Sequence, residues 1–448
     1  MIKALLALTM LTAPAPTTSD LDWTACQGDF QCADVAVPVS PGSARKLTLK
    51  VARLPATGTK RGTVMINFGG PQGDQIAIMR TRTQIFDKIR ESMDVVTWDP
   101  RGYPGQSSPV LACDWGVVRT PDMPEDQAAF DRIVADNRAR AGKCRATNPE
   151  LFDHMDSASD ARDADAIRAA LGEERMNFIG TSYGGTIAQA YARQFPQRVR
   201  TLYVDGTGNH STRDWPRELD AIARDNESMM GRFLKSAPKG MERRWQALVA
   251  KAEEKPIPAP KVNAEYDGRQ LQFLASQQAK RGPAQWKALA AAIEAAESGD
   301  ASGLAPGGKN PYPGLQGGGV KECLDFPRPA DQRQVATMVK RLDRIAPNTG
   351  ASFPLAWHAT LTCAGWPAPL ANPPKPLPRK LPPMLGAGTW LDFKATSRVV
   401  KQVPGSRTIE FDGPGHNLFA AMANACVIGH VSTYVTTGRL PARDTTCA

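Results

Sequence analysis

Gly180-Thr-Ser-Tyr-Gly184 sets a serine between two glycines at the spacing of a nucleophile elbow. The run Arg175-Met-Asn-Phe-Ile179 before it is apolar and reads as a buried strand. Gly185–Phe195 after it reads as an amphipathic helix stopped by Pro196. Glycines two before and two after Ser182 leave room for a strained turn that lifts the hydroxyl above the sheet edge. The chemistry such a serine does is acyl transfer. It needs a base to take its proton, a carboxylate to orient the base, and two N–H donors for the oxyanion.

A strand–elbow–helix arrangement implies the chain order serine, acid, histidine. Of five histidines, His154, His210 and His358 precede the late strands, which leaves His416 and His430. His416 lies in Asp412-Gly-Pro-Gly-His-Asn417, a loop just after the strand Thr408–Phe411, where an imidazole is presented to the site. His430 falls mid-helix among Val427, Val431 and Tyr434 and reads as a packed or half-exposed helix residue. Asp392, in the loop after the strand Met384–Ala387, is the favoured acid. Asp205 after Val204 is the alternative, with a loop-capping role as its other reading; Asp412, four residues from the histidine, is the weaker third. The Tyr183 amide is the first oxyanion donor, and Gly70 in Asn67-Phe-Gly-Gly-Pro-Gln-Gly73 is the second.

The elements that position these residues alternate from Arg61 to about Gly208. Thr63–Phe68, Met93–Trp98 and Val199–Val204 read as buried strands, and Ser159 is placed to cap a helix Asp160–Leu171 ended by Gly172. Such alternation predicts a doubly wound, mostly parallel α/β sheet. From Asn209 the character changes to helical periodicity without strand signals, as in Glu242–Lys251 and Ala284–Ala296, broken by loop-rich Pro306–Gly314. A proline-rich tether, Trp366–Pro383, leads back to sheet-like sequence and a last helix from about Leu418 to Thr436. The division expected is a leader over 1–20, a first core part over 21–208, a helical cap insertion over 209–375, and a second core part over 376–448.

A hydrophobic content of 42% with 22% charged residues describes an ordinary globular chain. The one membrane-like run, Ala4–Leu11 after Lys3, is too short to span a bilayer and fits a secretory signal peptide. Eight cysteines without a C-x-x-C pair argue against zinc ribbons and redox motifs and for disulfides formed outside the cytosol. The sequential pairing 26–32, 113–144, 323–363 and 426–447 closes a local loop each time. The net charge of +10 is spread without basic runs among aromatics, which argues against nucleic acid and for a solvated surface near an anionic envelope.

Together, Gly-Thr-Ser-Tyr-Gly-Gly185, Asn-x-Gly-Gly-Pro71 and Asp99-Pro-Arg-Gly102 with Ser107 resemble the α/β-hydrolase family of proline iminopeptidases. Leu171-Gly172 before the elbow strand and Gly438-Arg-Leu-Pro441 before Cys447 resemble its secreted actinobacterial tripeptidyl aminopeptidase branch. The chain departs from that branch at Phe68, Gln72, Asp74 and Gly185, and in Asp392-Phe-Lys-Ala-Thr-Ser397. The resemblance implies a helical cap whose acidic groups bind a substrate's free amino terminus, with Glu322 and Asp325 beside Cys323 as candidates and ordinary surface carboxylates as the other reading. It also implies a secreted or envelope-associated serine peptidase acting on peptides with free N-termini, without metal or organic cofactor. The same machinery serves an esterase, and a non-catalytic binding protein is the third reading.

Overall fold

The computed structural model describes residues 21–70, 73–116, 122–308, 319–358 and 361–447. The leader-like segment 1–20, Pro71 and Gln72, and most of the Pro306–Gly314 stretch lie outside them. The strands in chain order are β1 (Thr24–Gln27), β2 (Phe30–Pro38), β3 (Lys46–Leu54), β4 (Thr63–Asn67), β5 (Asp94–Trp98), β6 (Met176–Thr181) and β7 (Val199–Asp205). Then follow β8 (Ile257–Ala259), β9 (Ala264–Tyr266), β10 (Leu385–Gly388), β11 (Arg407–Phe411) and β12 (Thr446–Cys447).

Ten strands form one sheet in the order β1-β2-β3-β5-β4-β6-β7-β10-β11-β12. From β5 to β12 every pairing is parallel, and β1 to β3 join antiparallel at the β5 edge. Every residue of β4, β5 and β6 is buried, because helices cover both faces there. One face packs on the helices Ser157–Ala170 and Gly184–Gln194 through Ala161, Ala164, Ile167 and Ile187. The other packs on Ile76, Met79, Ile89, Val427 and Val431. The helices between 215 and 345 bury a core of their own around Met230, Phe233, Trp245, Leu271 and Ile293. This is a doubly wound, mostly parallel sheet with a helical insertion, as the alternation and the helical periodicity after it predict.

The register explains how residues far apart in sequence meet. Thr181 pairs with Asp205, Asp205 with Ala387, and Gly388 with Glu410, so the carboxyl ends of β6, β7, β10 and β11 stand level. Parallel sheets place their sites in the crevice beyond those ends.

Four local readings are corrected. Asp156, not Ser159, caps the helix Ser157–Ala170: its carboxylate accepts the N–H groups of Ala158 and Ser159, and the Ser159 hydroxyl donates to it. The last helix begins at Ala425, not Leu418, because Asn424 caps it and Asn417 and Ala423 take positive φ in the loop before. The insertion contains a hairpin, β8–β9, too short to leave a periodic signal. Strands β1 to β3 precede the alternating region and escaped it. The four disulfides join the cysteines in the sequential pairs expected.

Candidate active site

Ser182 sits between β6 and the helix Gly184–Gln194 with φ 53°, a left-handed conformation rare for a residue with a side chain. The turn is held from outside, since the Ser182 N–H donates to the Asp205 carbonyl at 2.7 Å. Its glycines are required by close approach. A Cβ on Gly180 would lie 2.5 Å from the Gly184 carbonyl oxygen, and one on Gly184 would lie 2.2 Å from that of Asn67. At Gly185 the space is filled by Thr207, whose Oγ1 would stand 2.3 Å from an added Cβ.

His416 Nε2 lies 3.0 Å from Ser182 Oγ, and its Nδ1 lies 2.7 Å from Asp392 Oδ2. Asp392 occupies the N-cap position of the helix Phe393–Val400 yet makes no cap bond. Its Oδ1 instead accepts the Thr389 N–H at 2.7 Å, and the Thr389 hydroxyl donates to the Gly415 carbonyl next to His416. Thr389 thus ties the acid loop to the histidine loop. Gly206 lets the pair pack, because a Cβ there would stand 3.0 Å from Asp392 Oδ2 and 3.0 Å from His416 Cε1. Neither residue was singled out by sequence; a threonine three before an aspartate and an Asp-Gly after a strand are the faint signals they left.

The other carboxylates take different places. Asp205 is fully buried and its Oδ2 accepts the Phe419 N–H at 2.7 Å, anchoring the chain just past His416. Asp412 points away from the imidazole, accepting the indole N–H of Trp390 in the acid loop at 2.6 Å and pairing with Arg232 of the insertion at 3.7 Å. His430 stays half-buried on its helix. It lies near Cys426 and Cys447, the one three-residue grouping of possible metal ligands among the described residues, but both sulfurs are joined in a disulfide.

Charge follows this geometry. Desolvation disfavours the His416 imidazolium, but the hydrogen bond and charge of Asp392, with Asp205 behind it, outweigh that and hold its pKa above the ordinary value. Lys280 of the insertion acts the other way. Burial, and then the charge of Asp392, push Asp205 up to about 7.

In the loop after β4, the Phe68 N–H donates to Gln75 Oε1 and the Gly69 N–H to Asn67 Oδ1. The Gly70 N–H has no acceptor among the described residues, and neither does that of Tyr183. The two loops touch: a Cβ on Gly69 would stand 2.8 Å from the Tyr183 nitrogen.

The helix Val320–Asp325 is buried along its whole length and fixed by the Cys323–Cys363 disulfide. Asp325 accepts the Ser157 N–H and the Asn372 amide on Oδ1, and the hydroxyls of Ser157 and Tyr183 on Oδ2. Four donors saturate it, so it braces Tyr183. Glu322, one helical turn earlier on the same face, is also buried, but its Oε2 has no partner among the described residues. Burial pushes its carboxyl up to about 8, with the Asp325 charge adding to that.

The alpha/beta hydrolase fold family pattern matches residues 81–292, and the TAP-like protein pattern matches residues 352–447. The chain is 28% identical to the tripeptidyl aminopeptidase of Streptomyces lividans, over 98% of this chain and 88% of that one. It is 27% identical to serine protease Hip1 of Mycobacterium tuberculosis, over 95% of this chain and 91% of that one. It is also 27% identical to carboxylesterase B of Mycobacterium tuberculosis, over 93% of this chain and 86% of that one. With this sheet, the matches to both patterns and these relatives, the chain is a serine hydrolase of the α/β-hydrolase fold, similar along most of its length to TAP-like proteins.

Proposed function

We propose that this protein is a secreted or envelope-associated peptidase that releases short peptides or amino acids from free N-termini through an acyl-enzyme. The observation that carries the reading is the unbroken line of hydrogen bonds from Asp392 through His416 to Ser182. In the first half-reaction, Ser182 Oγ gives its proton to His416 Nε2 and attacks the carbonyl carbon. The Gly70 and Tyr183 N–H groups receive the oxyanion, and Asp392 holds Nδ1–H so that Nε2 stays the acceptor. When the tetrahedral intermediate collapses, Nε2–H protonates the departing amine and the acyl group remains on Oγ. A water then repeats the sequence, giving one proton to Nε2 and returning the serine. Export agrees with four disulfides and with the apolar leader.

Glu322 is the group suited to the substrate's amino terminus. Buried, with its Oε2 lacking a partner among the described residues, it holds its proton near neutral pH; an arriving ammonium supplies the charge that makes its carboxylate favourable. Asp325, already saturated, is left in a bracing role toward Tyr183.

The test is turnover of tripeptidyl, prolyl and alanyl aminomethylcoumarin amides, each with a free or acetylated N-terminus, beside a p-nitrophenyl ester. The peptidase reading expects amide turnover that acetylation lowers about 100-fold or more, with Glu322→Gln losing most of that discrimination. Ester turnover alone, or indifference to acetylation, favours the esterase reading, which the carboxylesterase relative also supports.

The base must be neutral to act, so kcat/KM falls as pH drops through the His416 pKa. Because that pKa is held above 6.5, half-maximal activity lies on the alkaline side of 6.5. At pH 5 no more than about 3% of the imidazole is neutral. A pH–rate profile measured with the best amide checks this; an acid limb centred well below 6.5 excludes His416 as the base.

A further inference from the structure

The helix Gly268–Ala279 in the insertion ends at Lys280, and the turn that follows rests on the histidine loop. A Cβ on Gly282 would stand 2.5 Å from Pro414 Cγ, two residues before His416. Just beyond, Trp286 stacks on Trp390 of the acid loop, with ring centroids 6.2 Å apart. Lys280 therefore stands where the insertion packs on the histidine loop, and its charge is felt at the imidazole.

Two of its features call for a ligand. The ammonium is mostly buried, yet among the described residues no carboxylate pairs with it; its one hydrogen bond goes to Gln277 Oε1. The amide nitrogen of that same Gln277 is buried without an acceptor among the described residues. A cation and a buried N–H donor held together, neither facing an anion, are costly unless something accepts from them.

We infer that Lys280 and Gln277 form a carboxylate-binding subsite on the leaving-group side of the bond being cleaved. The side follows from the chemistry: His416 Nε2 hands its proton to the departing amine, so groups standing beyond the imidazole meet the half that departs. This inference rests on the peptidase reading and extends it to a substrate class, peptides with a carboxylate shortly after the scissile bond. Burial, with Arg281 alongside, lowers the Lys280 pKa to about 8, which still leaves the ammonium mostly charged at neutral pH, and a carboxylate pairing with it would favour the charged form further. The carboxylate is either the peptide's own C-terminus or an acidic side chain.

Calorimetry on Ser182→Ala tests this without needing turnover. The probes are alanine-rich dipeptides to tetrapeptides with a free or amidated C-terminus, and amidated peptides ending in Asp or Asn. The C-terminal source predicts that acids bind at least about tenfold tighter than amides. The side-chain source predicts the same margin for Asp over Asn instead. Lys280→Met in that background should abolish the margin, and Lys280→Arg should keep most of it, with unchanged thermal melting showing that both are folded. Equal binding of every acid and neutral partner, no binding of any, or a margin that survives Lys280→Met would each overturn the subsite. Coumarin turnover by the unaltered enzyme reads the peptidase assignment separately, so the two can fail apart.

Discussion

Ser182→Ala is expected to lower kcat by about 10⁴ to 10⁶-fold while leaving KM and the fold nearly unchanged. That loss corresponds to roughly 5 to 8 kcal/mol of transition-state stabilisation. It is large because the hydroxyl is the atom that forms the covalent bond; what remains is binding and the oxyanion donors, which accelerate the attack of water only weakly. Stability should move little. The alanine inherits the same φ of 53°, and the Ser182 N–H still donates to the Asp205 carbonyl. The measurement pairs steady-state turnover of the best substrate with thermal melting. A fluorophosphonate that labels the native protein and not the mutant ties the loss to the oxygen itself. Retained turnover with an unchanged melting curve would mean that the nucleophile is elsewhere.

Much of this geometry was legible in the residues, for reasons the structure makes plain. The elbow was readable because its constraint is local: a positive φ and two close backbone approaches demand small residues at fixed offsets from Ser182. His416 was readable by elimination, since few histidines exist and only one follows a late strand in a loop. Asp392 was harder. Three aspartates stand near strand ends, and only the register that sets Thr181, Asp205 and Ala387 level decides which can reach the imidazole. Asp325 was misleading for the opposite reason. An acidic residue beside a cysteine looks available in a sequence, but its four donors come from Ser157, Tyr183 and Asn372, which lie 168, 142 and 47 residues away. The hairpin β8–β9 and Lys280 left no pattern at all, because three-residue strands lack a period and a lone lysine has none. Residues set by long-range packing are the ones a single sequence hides.

Asp392→Asn and Asp205→Asn are expected to separate by about three orders of magnitude in kcat, although the charges of both aspartates are felt at the same imidazole. Replacing Asp392 puts an amide opposite Nδ1. An amide N–H there can donate to Nδ1, which moves the imidazole proton to Nε2 and leaves no acceptor for the serine proton. The loss is about 10⁴-fold. The Thr389 N–H still has an oxygen to donate to, so the loop keeps its shape and the fold survives. Asp205 serves differently. Its Oδ2 accepts the Phe419 N–H, a bond that an asparagine oxygen can also make. With a pKa near 7 it carries about half a charge at neutral pH, so a neutral amide is a close stand-in and the loss stays within about tenfold. What changes is the pH profile. The Asp205 charge helps to hold the His416 pKa up, so Asp205→Asn lets it fall and the acid limb moves to lower pH. Asp392→Asn offers no such trade, because it removes the partner that fixes the tautomer. Rate–pH curves for both variants against the parent decide the matter. If Asp205→Asn proves the crippling change and Asp392→Asn the mild one, the acid of the triad is at the end of β7 and not in the loop after β10.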